Sequence, residues 1–159
     1  PMLERRFTAT SPKGATLHIH TTRQLLPQQE VMQITYKVTS ENYNGPISLL
    51  AMLGGDAEPN NWYPLMNNIE QDKCWIWLQL PNDNIQLCCA MNWQVLHNDI
   101  PVGKRPIKIE KHHTIGDSLT TQIKAGDTCT LKKNVAVLDS RSHSKDQLIT
   151  NTLKCLTNW

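Results

Sequence analysis

The sequence predicts a mostly-β domain, an antiparallel β-sandwich that ends in a helix. Three observations predict it. Apolar and polar residues alternate with period two through most of the patterned segments, short turns rich in Gly, Pro, Asn and Asp separate those segments, and a helical period appears only after residue 141. Successive side chains of a strand point to opposite faces, so period two marks a strand with one face on a core. About nine such segments joined mainly by short turns fit an antiparallel sandwich.

A first strand is expected from Leu3 to Ala9, and a second around Leu17 and Ile19, with His18 and His20 on its other face. Pro12, Lys13 and Gly14 turn the chain between them. Met32, Ile34, Tyr36 and Val38 alternate with Gln33, Thr35 and Lys37 in a third strand. After the turn at Asn44, Gly45 and Pro46, both faces are apolar from Ile47 to Leu53, which predicts a central strand covered on two sides. The segment from about Gly54 to Asp72 is too polar and too rich in Gly, Pro and Asn to continue a strand, and it is expected as a long loop.

Further strands are expected over Cys74–Leu80, Ile85–Val95, Ile107–Lys111, Leu119–Lys124 and Thr128–Leu138, with turns at Pro81 to Asn84 and at Ala125, Gly126 and Asp127. The Ile85–Val95 pattern is the clearest. Ile85, Leu87, Cys89, Met91, Trp93 and Val95 share one face, and Gln86, Cys88, Ala90, Asn92 and Gln94 the other. Leu148, Thr152, Cys155, Leu156 and Trp159 then fall on one helical stripe, with Ser144 and Gln147 spaced as a capping box. The organisation expected is a sandwich over residues 1–141 and a helix over 142–159, whose apolar face packs either on the sandwich or on further sequence.

The chain of 159 residues suits one core. Sixteen Lys plus Arg against fourteen Asp plus Glu leave a net charge of +2, scattered along the sequence, which argues against a nucleic-acid partner. No apolar run approaches the roughly 18–20 residues of a transmembrane helix, so no membrane partner is expected. No targeting segment is visible, which leaves cytoplasm and periplasm both open. Cys74, Cys88, Cys89, Cys129 and Cys155 are odd in number and lack zinc-type spacing; they are expected as reduced packing residues, with Cys88 and Cys89 on opposite faces.

No nucleophile elbow, zincin helix or phosphate-binding glycine loop occurs, and no catalytic residue, metal ligand or cofactor is assigned. His112 and His113 are adjacent and would face apart on a strand; His18 and His20 share a face but lack a third ligand, which favours a solvated surface over a metal site. Asp56, Glu58 and Asp72 are the acids of the long loop. Five Trp and three Tyr accompany a single Phe, and the flat indole face suits stacking on a sugar ring. Trp75, Trp77 and Trp93 lie within strand patterns and read as packing residues. Trp62 and Tyr63 lie in the long loop beside Asn60 and Asn61, whose amides suit hydroxyl groups; with Asp56 they form the candidate carbohydrate or domain-interface cluster.

Several phrases, in order, resemble the N-terminal domain of glycoside hydrolase family 65, the group of maltose, trehalose and kojibiose phosphorylases and related hydrolases. LERRFTATSPKGATLHIHTTR ends in Thr22-Arg23 as the family pattern does, and EVMQITYKVTSENYNGPISL resembles its next strand, turn and strand. LGGDAEPNN carries a Gly-Asp step at Gly55-Asp56, and AGDTCTLKKNVAVLDSRSHSKDQL resembles the last domain strand, with Val135-Ala136 and Ser140-Arg141 before a linker helix.

The resemblance implies a galactose mutarotase-like supersandwich that supports a separate (α/α)6 catalytic barrel. It implies that barrel, an oligosaccharide substrate and a homodimer as partners, and inorganic phosphate as a co-substrate of the parent enzyme. The barrel's general acid and a phosphate site have no counterpart in this chain. The family domain begins with strands that precede the matched segment, so a trimmed sandwich is expected. The function so implied is a non-catalytic domain of an α-glucoside phosphorylase or hydrolase; an independent carbohydrate-binding module is the alternative.

Overall fold

The computed structural model describes residues 2–27, 30–54, 63–70, 73–80, 83–103, 107–111 and 114–156. Among them are eleven strands: β1 (Met2–Thr10), β2 (Thr16–Leu25), β3 (Val31–Ser40), β4 (Gly45–Gly54), β5 (Tyr63–Glu70), β6 (Lys73–Gln79), β7 (Gln86–His97), β8 (Ile100–Pro101), β9 (Ile107–Lys111), β10 (Thr114–Ile123) and β11 (Thr128–Asp139). A 3-10 turn at Lys145–Gln147 leads into α1 (Leu148–Lys154). The large sheet runs β1-β2-β3-β11-β7-β6-β5, with β8 paired to the end of β7, and the small sheet runs β4-β10-β9. All ladders are antiparallel. The expected antiparallel sandwich is what forms.

The inter-sheet core follows the period-two pattern. Met91, Trp93 and Val95 of β7, Ile76 of β6 and Leu131 and Val135 of β11 meet Leu49, Ala51 and Leu53 of β4 and Ile115, Leu119 and Ile123 of β10. The other face of β7 and β11 is also covered. There Cys88, Ala90, Ala136 and Leu138, with Val31 and Trp75, receive Leu148 and Leu156 of the helical segment. The sandwich itself is therefore the partner of the helical stripe, and the molecule has three layers over β7. Cys88 and Cys89 do face apart, one toward α1 and one toward the inter-sheet core.

Two polar devices tie the layers together. Asn134 Nδ2 donates to Asn92 Oδ1 at 3.0 Å, and Asn92 Nδ2 donates to the Leu156 carbonyl at 3.2 Å, so a short chain of amides crosses β11 and β7 to the end of the helix. Between the sheets, Trp93 Nε1 donates to Asp117 Oδ2 at 2.8 Å. Buried polar groups need such partners, because an unmade bond away from water costs about 1–3 kcal/mol.

Four sequence expectations are corrected. The segment between Gly54 and Asp72 is not wholly loop: Tyr63–Glu70 forms β5, the edge strand beside β6. Pro64 is tolerated there because an edge strand lacks a neighbour on one side, and the register shift between Pro64 and Met66 breaks the alternation that would have revealed it. The Ile47–Leu53 strand is not central. It lies in β4, at the edge of the small sheet, with Leu50 48% and Met52 38% exposed on its outer face.

The third correction is that Leu119–Lys124 is only the second half of a longer strand beginning at Thr114. Gly116 and Asp117 mask its first half; a Cβ on Gly116 would fall 2.1 Å from the Ala51 carbonyl oxygen, so the close approach of β10 to β4 requires glycine. Finally, Ser144 caps the 3-10 turn without a side-chain hydrogen bond, so no capping box forms; the Gln147 N–H donates to the Ser144 carbonyl instead.

Candidate functional site

The connections of the sandwich gather at two ends. Ser40, Asn98, Lys124 and Asp127 meet at one: Asn98 Nδ2 donates to Asp127 Oδ1 at 2.9 Å, and the Lys124 N–H donates to Asp127 Oδ2 at 2.9 Å. Asn98 and Asp99 both have positive φ, 48° and 65°, as the two-residue hairpin from β7 to β8 requires. Together with His97, whose Nε2 lies 3.1 Å from Oδ2, these donors hold the Asp127 carboxyl down at about 2; the Asn98 amide is the largest influence. This end is a closed structural knot.

The opposite end carries the described residues that flank the candidate segment. β4 finishes there at Gly54, β5 starts at Tyr63 against Gln79, and β6 and β7 connect through Leu80 to Ile85. The chain also leaves β11 there. Gln86 and Ser140 exchange two hydrogen bonds: the Ser140 N–H donates to the Gln86 carbonyl, and the Gln86 N–H donates to Ser140 Oγ, each at 2.9 Å, while Asp139 pairs with Leu87. Arg141 folds back on Asp139, with Nη2 at 2.6 Å from Oδ2 and Nε at 3.2 Å from Oδ1. That guanidinium, helped by the Arg141 N–H, holds the Asp139 carboxyl down at about 2. Lys145 Nζ donates to Asn84 Oδ1 at 2.6 Å, which ties the segment before α1 to the β6–β7 connection.

Of the sequence-predicted cluster, Asp56, Asn60, Asn61 and Trp62 lie outside the described residues, as do Glu58, Asp72, His112, His113 and Trp159. Tyr63 begins β5, and its backbone pairs with Gln79. The described residues on either side of that cluster, Gly54 and Tyr63, stand at the end carrying Ser140, Arg141 and Lys145. Those three gave only a weak signal in sequence, the polar run after β11.

Burial pushes the thiols of Cys74 and Cys89 up to about 12 and that of Cys88 up to about 11, so they stay protonated and unreactive at neutral pH. His18 lies 3.2 Å from Glu41 and 3.1 Å from the Thr8 hydroxyl, and His20 lies 2.9 Å from Glu4. Each imidazole has its own carboxylate, and no group of metal-ligating residues forms among the described ones.

Sequence reasoning also missed a cleft of 380 Å³ between β4 and the large sheet, lined by Arg23, Tyr36, Ser48, Leu50, Leu131 and Lys133 among others. Its signal was Lys133, a charged residue on the apolar face that carries Cys129, Leu131 and Val135.

Comparison with known proteins agrees with this architecture. No curated protein sequence matches the chain. A solved structure of a protein assigned as a kojibiose phosphorylase, from the human microbiome, superposes with a TM-score of 0.80 at 14% sequence identity, over 96% of this chain and 20% of that one. The chain thus spans about a fifth of the length of the structure it matches. The family model for the glycosyl hydrolase family 65 N-terminal domain matches residues 2–158. From strand order to sequence profile, the chain belongs to the N-terminal domain family of the family 65 glycosyl hydrolases.

Proposed function

We propose that this chain is the non-catalytic N-terminal domain of an enzyme that acts on α-glucosides by phosphorolysis or hydrolysis, a sandwich that supports a helical catalytic barrel and lends a loop to the rim of its pocket. The observation that carries the reading is the family match over residues 2–158. In this reading, residues 1–141 are the supporting sandwich and residues 142–159 the linker toward the barrel. Asp56, Asn60, Asn61, Trp62 and Tyr63 act at the rim or at the domain interface. Their contribution is positioning: contacts to remote parts of a substrate hold its glycosidic oxygen toward the barrel's acid.

The test uses the complete polypeptide. Trp62→Ala is expected to lower kcat/KM for an α-glucoside about tenfold, as loss of roughly 1.4 kcal/mol of stacking would, with part of the loss in kcat because the substrate is held less well toward the acid. The isolated chain is expected to turn over no glucoside. Turnover by residues 1–159 alone would overturn the reading. Sub-millimolar binding of oligosaccharides by the isolated chain, lost in Trp62→Ala, would favour an independent carbohydrate-binding module instead.

A further inference from the structure

The helical segment seats on a narrow apolar strip. Cys88, Ala90 and Ala136 lie beneath it, small enough for Leu148 and Leu156 to pack directly on β7 and β11. The same face continues into two polar side chains, Asn92, 7% exposed, and Asn134, 9% exposed. Asn134 stands in register with Asn92 on one side and with Gln33 on the other, so three amides lie abreast across β3, β11 and β7.

Each amide orients the next. Gln33 Nε2 donates to Asn134 Oδ1 at 3.3 Å, which commits that oxygen and turns Asn134 Nδ2 toward Asn92 Oδ1, at 3.0 Å. The Asn92 oxygen is committed in turn, so its amino group faces the helical segment and donates to the Leu156 carbonyl at 3.2 Å. A side-chain amide carries its donors and its acceptor on different atoms, so flipping any one of the three would set oxygen against oxygen or amino group against amino group. The carbonyl they serve follows the last turn of α1, where the helix offers no donor of its own, and it belongs to a residue that is 1% exposed.

Stability does not require these amides. Replacing both partners of a buried hydrogen bond by apolar groups of similar shape is nearly neutral, and leucines here would extend the strip that already holds the helix. Apolar contact is non-directional, whereas a hydrogen bond holds one backbone atom in one place. Fixing register and orientation is the best-attested use of a buried amide.

The place so fixed is specific. Ser140 is bonded to Gln86, at the start of β7, and Lys145 to Asn84 just before it. Leu156 is bonded to Asn92, six residues further along β7, about 20 Å away at about 3.3 Å per residue. The chain therefore leaves β11, turns back along the outer face of the sheet and is held again halfway up β7.

We infer that Asn92, oriented by Asn134 and Gln33, is a positioning residue: it fixes the point and the direction in which the polypeptide leaves this sandwich at Leu156, and through them how the catalytic barrel stands against the rim cluster. The inference rests on the reading of this chain as one domain of a longer enzyme; the structure it matches is about five times its length, so in that reading a much larger body is carried on this exit. A misplacement of about 1 Å, caused far from the chemistry, can cost up to about 100-fold in rate.

Hydrogen exchange and turnover of the complete polypeptide test the inference. Asn92→Leu combined with Asn134→Leu replaces the buried amides by apolar groups. The β7 and β11 amides are expected to keep their protection, while those of Cys155 and Leu156, bonded within the last turn, exchange about tenfold faster. The kcat/KM for an α-glucoside is expected to fall about tenfold. Trp62→Ala should lower kcat/KM about tenfold in the wild-type background but less than about twofold in the leucine variant, because a displaced rim has no contact left to lose.

Wild-type kcat/KM in the leucine variant overturns the inference, and so do additive losses, about 100-fold together with Trp62→Ala. Lost protection across β7 overturns it too, since the amides would then be holding the sheet together. Failure of the functional reading looks different: the complete polypeptide turns over no glucoside, or Trp62→Ala alone leaves kcat/KM unchanged. In either case exchange at Cys155 and Leu156 still decides this inference, and unchanged rates in the leucine variant overturn it.

Discussion

Replacing Asp117 tests whether the Trp93 to Asp117 bond pins the two sheets together. Asp117 is 6% exposed on β10, its Oδ2 accepts the indole N–H at 2.8 Å, and its Oδ1 has no hydrogen-bond partner among the described residues. Asp117→Ala leaves a buried indole N–H without an acceptor, at a cost of about 1–3 kcal/mol, partly offset by removing a poorly solvated carboxylate; a loss of about 2 kcal/mol is expected. Asp117→Asn keeps an acceptor oxygen and should cost about 1 kcal/mol or less. Trp93→Phe leaves the buried carboxylate without its indole donor, and losing a hydrogen bond to a charged group costs about 1.5–3 kcal/mol. Urea unfolding followed by far-UV circular dichroism reads all three, with the slope unchanged if only stability moves. The double variant Asp117→Ala, Trp93→Phe should show a coupling of about 1.5–3 kcal/mol. A coupling below about 0.5 kcal/mol, or equal losses for alanine and asparagine, would refute the pin.

Leu148 is fully buried beneath the helix, and Leu148→Ala should cost about 2–5 kcal/mol, limited by the docking energy of α1 since the helix can detach instead; a shift of the Trp75 indole N–H resonance reports that detachment. Asp139 is depressed from 3.8 to about 2, so its contribution to stability is present above the unfolded carboxyl range and is lost as pH falls through about 2. Asp139→Asn should therefore flatten the fall in urea midpoint between about pH 4 and pH 2, and an unchanged acid limb would contradict this. Cys74, Cys88 and Cys89 should resist a thiol reagent at pH 8 until urea unfolds the chain, and rapid labelling of native protein would show that their burial is not maintained.

Period two located most of the sandwich, because a strand between a core and water writes that contrast into every second residue. It served best for β7, where the Leu87 to Val95 alternation predicted both the inner face and the separation of Cys88 from Cys89. It failed where packing and polarity part company. β5 is an edge strand with exposed Leu65 and Met66 beside a register shift, so its pattern has no buried face to repeat. Gly116 and Asp117 hid the start of β10, one required by a close backbone approach and the other by an indole across the sheets.

By itself the sequence determined the class of the fold, the helix that closes it and the family resemblance, since each is written in local order and spacing. Only the tertiary structure decided which strands meet. It placed β11 between β3 and β7, paired β4 with β10, and set Gly54 and Tyr63 at the same end as Ser140 and Arg141. Those pairings join residues far apart along the chain, and neither propensity nor periodicity carries the identity of a distant partner. The edge position of β4 has the same origin: an apolar run reads alike in a central strand and in one paired on a single side among the described residues.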